Sequence, residues 1–351
     1  MSKLQIVVGG QAGSEAKGAV AGYLAAEQKN LLCIRVAGPN AGHSVVHPVT
    51  GRKYALRQIP VGAVTNRDAY LAIAAGSEID PYVLHEEINW LEQEGIPVRD
   101  RLFIDPAATW LTQAHKDRET TAALTARIGS TGKGIGAARA ARIMRDAVTV
   151  GQAEPEFRQF GIVDQVSAIA HSYLTKGATV QIEGTQGYML GLHTQYYPQV
   201  TSSDCTAIDF LAMARVNPWW VAEHELETWV VFRPYPIRVA GNSGPLKDET
   251  TWEELGLEPE LTTVTKKIRR VGHWDGQVAL AAIEANGGGL IRPMLALTMA
   301  DQIDPALVGV TDQHKLLESA AFNKFLAQFE ADCGQPPVMV TTSDRTYVNL
   351  I

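Results

Sequence analysis

The chain has 351 residues and carries 31 Lys+Arg against 38 Asp+Glu, a formal charge of −7, with 46% hydrophobic residues. That composition belongs to a globular protein with ample core and excludes a disordered or fibrous one. No sustained Lys/Arg run exists to replace phosphate counterions along a polymer, so nucleic acid is excluded as a partner, whereas small phosphorylated ligands need only a few local donors.

In chain order, residues 4–8 form a short apolar run that predicts a buried strand. It leads into Gly9-Gly10-Gln11-Ala12-Gly13-Ser14-Glu15-Ala16-Lys17-Gly18, and residues 19–27 have helical composition. Residues 31–36 form a second apolar run, leading into Ala37-Gly38-Pro39-Asn40-Ala41-Gly42-His43. Residues 81–95 and 107–127 predict amphipathic helices. Residues 178–182 lead into Glu183-Gly184-Thr185-Gln186-Gly187. Residues 217–275, rich in Trp, Pro and charge, predict irregular structure plus strands covering a crevice. Residues 295–299 lead into Ala300-Asp301-Gln302. Buried strands with helices between them predict an α/β protein with a mostly parallel central sheet flanked by helices. In such a sheet ligands bind beyond the carboxyl ends of the strands, where these loops would lie together. No repeat, low-complexity tract or composition break marks a linker, so residues 1–351 are expected to form a single domain.

Cys33, Cys205 and Cys333 are sparse and odd in number, which fits neither a disulfide framework nor a zinc site and points to a reducing cytoplasm. No charged segment followed by an apolar run opens the sequence, and no apolar stretch reaches membrane-spanning length, so no membrane is expected as a partner.

Several loops carry chemistry. The first follows a strand and opens a helix, where backbone N–H groups and the helix dipole attract phosphate and Lys17 adds a point charge. It matches neither G-x-x-x-x-G-K-[ST] nor G-x-G-x-x-G. Ile128-Gly129-Ser130-Thr131-Gly132-Lys133-Gly134-Ile135-Gly136 is a second anion cradle, with glycines for a tight backbone and hydroxyls and a Lys as donors. Arg139, Arg142 and Arg145 follow it; alone they read as a solvated helix face. His43 and His47 have helical ligand spacing, but Val45 and Val46 between them favour an extended chain, which rejects a metal pair. Thr201-Ser202-Ser203-Asp204 clusters hydroxyls with one carboxylate, and by itself reads equally as a turn. Lys266-Lys267-Ile268-Arg269-Arg270 is the densest basic cluster and suits the carboxylates of a small acidic substrate.

Together and in order, these loops resemble the adenylosuccinate synthetase family, which joins aspartate to C6 of a purine nucleotide using a nucleoside triphosphate and Mg²⁺. Gln11-Ala12-Gly13-Ser14-Glu15-Ala16-Lys17-Gly18 stands where the family has Gln-Trp-Gly-Asp-Glu-Gly-Lys-Gly. Asn40-Ala41-Gly42-His43-Ser44, residues 128–136, Glu183-Gly184-Thr185-Gln186-Gly187, Tyr197 to Thr206, Arg269-Arg270-Val271-Gly272 and residues 342–345 follow its later motifs. The resemblance implies a P-loop-NTPase-like sheet with irregular insertions over the crevice. It implies that His43 is the general acid and that Ser14, Lys17 and Gln186 also take part in catalysis. Gly13, Glu15, Ala16, Lys17, Gly18, Gly42, His43, Ser44, Asp301 and Thr342 would hold the triphosphate, and Ser14 and Gly42 would offer oxygens to Mg²⁺. Ser14, Asn40, Ser130, Thr131, Gln186 and Thr201 would hold the nucleotide substrate, with Arg145 reaching the neighbouring site of a homodimer. Thr265, Lys267 and Arg269 would hold L-aspartate.

The departures give direction. Ser14 replaces the family's aspartate, the base for the purine N1 proton. A serine hydroxyl is no base near neutral pH, though it can ligate Mg²⁺. The exchange shortens the side chain and removes a negative charge beside the purine C2 edge, where guanine carries an amino group. This resembles the family's diaminopurine-forming phage branch and implies a ligase for dGMP, aspartate and ATP (or dATP), in the host cytoplasm if phage-encoded. Loss of the family's guanine-reading Lys at Met299-Ala300-Asp301 fits ATP, although the Asp301 carboxylate pairs best with guanine. An IMP-using, GTP-dependent adenylosuccinate synthetase and a catalytically dead nucleotide-binding homologue are the rival readings.

Overall fold

The computed structural model describes residues 2–36, 38–262, 267–287 and 291–350. The chain divides into two compact units, each built from three stretches: Met1–Val7, Gly18–Thr185 and Ala207–Glu227 form one, and Val8–Lys17, Gln186–Thr206 and Thr228–Ile351 form the other.

In the first unit the strands Lys3–Gly9, Thr179–Glu183, Leu31–Arg35, Tyr70–Ile73, Leu102–Ile104 and Ile162–Val163 lie side by side in that order. Each neighbouring pair is parallel. The register pairs Ile6 with Ile182, Ile182 with Ile34, and Ile34 with Ala72. Parallel strands are covered on both faces, which is why these segments are apolar runs rather than alternating ones. Leu31, Leu32, Cys33 and Ile34 are all buried, as are Val180 and Ile182. Crossover connections carry the helices Pro81–Gln93, Val166–Thr175 and Ala207–Ala214. Helix Pro81–Gln93 has Asp80 as its N-cap, accepting from Tyr82 N at 3.1 Å, with Pro81 in the first turn, where a missing N–H costs nothing.

The second unit's sheet has the order Tyr347–Asn349, Met339–Thr341, Met294–Leu297, Leu226–Phe232, parallel except for the terminal strand. Helices Gly276–Ala285 and Ala320–Cys333 pack on each other in this unit. A three-stranded antiparallel ribbon places Arg270–Gly272 between Ile237–Arg238 and Glu249–Thr250. Both units are therefore α/β with mostly parallel sheet, as the sequence predicts. Among the described residues no helix is long and apolar enough to cross a membrane.

Two expectations are corrected. Residues 107–127 are not one helix: Thr109–Trp110 is a strand, and the helices Gln113–Thr121 and Leu124–Ile128 are separated by Ala123 at φ 50°. Tertiary pairing overrides the periodicity, since Thr109, Trp110 and Leu111 donate their amides to Ser77, Val148 and Ile79. Within 217–275 strands are present, as expected, but Leu226–Phe232 is a seven-residue strand of the second unit's main sheet, its last five residues buried, rather than part of a cover.

Candidate active site

The candidate residues divide between the units. In the first, Arg35 ends one central strand and Glu183 ends its neighbour, directly across in register. Both are buried. Arg35 Nη1 donates to Glu183 Oε1 at 2.8 Å, and Arg35 Nη2 donates to Ala41 O at 3.0 Å. Val61 N donates to Glu183 Oε2 at 2.8 Å. His43 opens the strand His43–Val46, so the extended reading of the His43–His47 spacing holds. Its Nδ1 lies 2.5 Å from Glu183 Oε1 and 2.7 Å from Arg35 Nη1. A carboxylate only accepts and a guanidinium only donates. A ring hydrogen on Nδ1 donates to Glu183, which also accepts from Arg35; Nδ1 then does not accept from Arg35, and Nε2 lies 3.4 Å from Arg35 Nη1. Burial pushes the Glu183 carboxyl up, but Arg35 and His43 outweigh it and hold it below the ordinary carboxylate range. Burial lowers the Arg35 guanidinium against the opposing pull of Glu183.

Gly18 backs onto the same group. A Cβ there would stand 2.7 Å from Ser44 O and 2.8 Å from the His43 Cβ, so only glycine lets the helix Lys17–Ala26 approach. Gly42 and Ser44 are exposed, and Asn40 sits in a turn. Ser130 and Thr131 lie between the helices Leu124–Ile128 and Ile135–Met144, and Ser130 Oγ accepts from Gly132 N at 3.2 Å. The second anion cradle is partly taken by the chain itself. Buried Glu119 accepts from Gly134 N and Gly136 N at 2.8 Å each, filling the N-terminus of helix Ile135–Met144. Arg139 pairs with Glu78 at 2.7 Å, while Arg142 and Arg145 are exposed. Arg145 caps that helix in the left-handed region at φ 66°.

In the second unit the first loop winds through Gly13 at φ 90°, Ser14 at 61° and Ala16 at 59°. Its centre is buried Glu15. One oxygen accepts from Gln11 N at 3.1 Å and Gly13 N at 2.7 Å, and the other pairs with buried Lys17 at 2.6 Å. Glu15 is therefore engaged as a scaffold and is no free base. A Cβ on Gly9 would stand 2.6 Å from Glu15 Oε2, 2.8 Å from Lys17 Nζ and 2.7 Å from Gln186 O. Glycine at that point lets the pair and Gln186 (φ 60°) close around the loop. Arg233 is fully buried and its Nη1 donates to Ser14 O at 3.2 Å. It also makes a bidentate pair with Glu260, which in turn accepts from Arg269 Nη1 at 3.2 Å. Burial raises the Glu260 carboxyl, but Arg233 and Arg269 win and hold it below the ordinary range.

Thr201 donates its amide to Leu190 O at 2.8 Å. Lys267 is exposed, with its amide on Thr262 Oγ1 at 3.0 Å. Thr265 and Lys266 lie outside the described residues. Asp301 follows Met299, which turns at φ 60°; burial, with Asp344 nearby, pushes the Asp301 carboxyl up. Thr342 is buried and its hydroxyl donates to Val310 O at 2.6 Å, so it shapes its turn rather than presenting that group.

Sequence reasoning missed Arg35, Arg233, Glu119 and Glu260, and quoted Glu183 without giving it a role. Arg35, Glu183 and Arg233 share one signal, a charged residue at the carboxyl end of an apolar strand, where a buried charge must be paired.

The family model described as adenylosuccinate synthetase matches residues 6–161 and 153–311. This chain belongs to the adenylosuccinate synthetase family. It is thus a ligase that forms carbon–nitrogen bonds. The adenylosuccinate synthetase of Pyrococcus horikoshii is 38% identical over 345 residues, covering 96% of this chain and 95% of that protein. The enzyme of the same name from Methanocaldococcus jannaschii is 37% identical over 348 residues, covering 97% and 94%. Among solved structures, the succinoaminodeoxyadenylate synthetase of cyanophage S-2L, bound to dGMP and to dATP as an energy donor, matches with TM-score 0.81 and 29% identity over 98% of this chain and 94% of that one. The fully ligated adenylosuccinate synthetase of Plasmodium falciparum shares the fold, with TM-score 0.82 at 19% identity over 99% and 100% of the two chains.

Proposed function

We propose that this ligase joins L-aspartate to C6 of dGMP, with ATP or dATP as phosphoryl donor, giving N6-succino-2-amino-dAMP, ADP or dADP, and phosphate. The observation that carries the reading is Ser14. A short neutral side chain stands where the resemblance expects a carboxylate, on a backbone fixed by its left-handed φ of 61° and by Arg233. A short side chain there leaves room for a 2-amino group, and its hydroxyl can accept from it. The likeness to a solved phage enzyme bound to dGMP and dATP supports the same reading.

The purine O6 attacks the γ-phosphorus and the nucleoside diphosphate leaves. The aspartate amine then attacks C6 and phosphate leaves, carrying the original O6. Phosphoryl transfer of this kind is served by positioning and charge neutralisation. Lys17, held by Glu15, supplies fixed positive charge, and the Gly13–Gly18 and Gly42–Ser44 backbones hold the triphosphate. His43, oriented by Glu183, offers its Nε2 proton to the transferring group. Asn40, Ser130, Thr131, Gln186 and Thr201 hold dGMP. Thr265, Lys267 and Arg269 hold aspartate. The Ser14 hydroxyl and Gly42 carbonyl are hard oxygen donors that suit Mg²⁺, which when bound neutralises phosphate charge. Gly42 is an exposed residue, as a ligand to an arriving ion must be.

The chain is proposed to act as one domain, in a homodimer in which the partner subunit's Arg145 holds the substrate phosphate. Arg145 stands beside exposed Ile143 (71%) and Met144 (66%), an apolar setting suited to a subunit contact. A cytoplasmic setting fits the three buried free thiols.

The rival is an IMP- and GTP-dependent enzyme. It is favoured by the archaeal relatives, all adenylosuccinate synthetases, and by the Asp301 carboxylate. A matrix of dGMP and IMP against ATP, dATP and GTP, read as aspartate-dependent phosphate release, separates them. Turnover of dGMP with an adenine triphosphate is expected; turnover of IMP without dGMP refutes the proposal.

A further inference from the structure

We propose that Glu260 is a specificity-determining residue that occupies Arg269 in the ligand-free protein and is displaced from it by a carboxylate of the substrate aspartate. The inference rests on the reading of Arg269 as an aspartate-binding residue.

The proximity of the two side chains is built into the backbone. Arg269 N donates to Glu260 O at 2.9 Å and Thr262 N to Lys267 O at 2.8 Å. Leu261 and Ile268 form an antiparallel bridge between them. Glu260 has two claims on it of unequal strength. Arg233 grips both of its oxygens, and Gln302 Nε2 adds a bond at 3.2 Å. Arg269 reaches it through Nη1 alone, at 3.2 Å. Giving up Arg269 therefore leaves Glu260 fully paired. Arg269 is not satisfied in return: its Nε is buried without a hydrogen-bond partner among the described residues. An orphaned buried donor on a charged group points to an acceptor that arrives from outside.

The charge balance says what arrives. Among the described residues, two guanidiniums, Arg233 and Arg269, pair with one carboxylate, so the cluster carries a net positive charge and accepts one further anion. A substrate carboxylate can take the fork of Arg269 through Nη and Nε, the geometry in which guanidinium binds carboxylate best. Because it must displace an internal competitor, ligands with a weak or singly engaged carboxylate are disfavoured relative to aspartate. Specificity then comes from the incumbent anion as well as from the new contacts.

The test measures the KM of both substrates and the calorimetric affinity for L-aspartate in the full chain. Glu260→Gln keeps an acceptor for Arg233 but removes the competing charge. Its KM for aspartate is expected to fall about fivefold, the scale of one partly exposed ion pair, with the nucleotide KM unchanged. General damage to the site would raise KM rather than lower it. Arg269→Ala tests the underlying reading and is expected to raise the aspartate KM with the nucleotide KM unchanged. If Arg269→Ala raises it but Glu260→Gln leaves it unchanged or raises it, Arg269 binds aspartate and the competition is refuted. If Arg269→Ala leaves the aspartate KM unchanged, the reading of Arg269 falls, and the competition with it. Should Glu260→Gln fold poorly, Glu260→Asp retains the charge on Arg233 while drawing back from Arg269. A smaller fall in the aspartate KM supports the proposal there, and an unchanged or higher value overturns it.

Discussion

Ser14 and Ala16 both adopt left-handed backbone, at φ 61° and 59°. That conformation costs a residue with a Cβ about 1–2 kcal/mol. At position 16 the family pattern has glycine, so the alanine bears a strain that relatives avoid. Ala16→Gly is expected to stabilise the protein by roughly 0.5–1 kcal/mol, the relief of strain less the added unfolded-state entropy, read as a small rise in Tm. The Ser14 change is about chemistry more than strain. On the proposed reading, Ser14→Asp lengthens the side chain beside the purine C2 edge and is expected to lower kcat/KM for dGMP more than for IMP. Equal effects on the two, measured side by side, would detach Ser14 from the 2-amino group. These positions were visible in the sequence because their motif neighbours are contiguous. Glu260 was not, because its partner Arg233 lies 27 residues away and nothing local links them.

At the level of single elements, helix Ile135–Met144 shows what a loop motif conceals. Three glycines and two hydroxyls before it, with Gly136 in its first turn, suggest an open anion cradle, yet Glu119 accepts from the amides of Gly134 and Gly136. A carboxylate at a helix N-terminus meets both the free donors and the dipole. Glu119→Gln can accept at only one oxygen and loses the charge. It is expected to destabilise this terminus by about 1 kcal/mol, seen as faster amide hydrogen exchange at Gly134 and Gly136. The central strands were legible because burial on both faces leaves an unbroken apolar run, as at Leu31–Arg35 and Thr179–Glu183. The break at Ala123 was not, because nothing in Thr121-Ala122-Ala123 signals a left-handed residue. Strand Leu226–Phe232 lies where strands were expected, but its Trp- and Pro-rich surroundings hid that it belongs to the main sheet.

At the scale of the whole molecule, carboxylates paired with arginine set the response to acid. Glu183 and Glu260 have folded-state values below the ordinary range, so their pairing stabilises the fold above that range and is lost as pH falls through it. Glu87 is held above its ordinary value chiefly by burial, so its protonation favours the fold and partly offsets that loss. Tm is expected to be nearly level from neutral pH down to about 5 and to drop below about 4. A Tm that climbs on acidification would mean that the Glu87 type dominates. The proposed homodimer makes a second claim: if the partner subunit's Arg145 completes each site, an Arg145→Ala chain mixed with a Lys17→Ala chain regains activity that neither has alone.

The chain keeps its own anions at its grips: Glu15 against Lys17, Glu119 on two glycine amides, Glu260 on two arginines. On the proposed reading, a carboxylate arriving at Arg269 leaves Glu260 in place on Arg233, so the group passes from net positive to neutral, and ambient electrolyte, which screens that attraction, weakens the hold on aspartate.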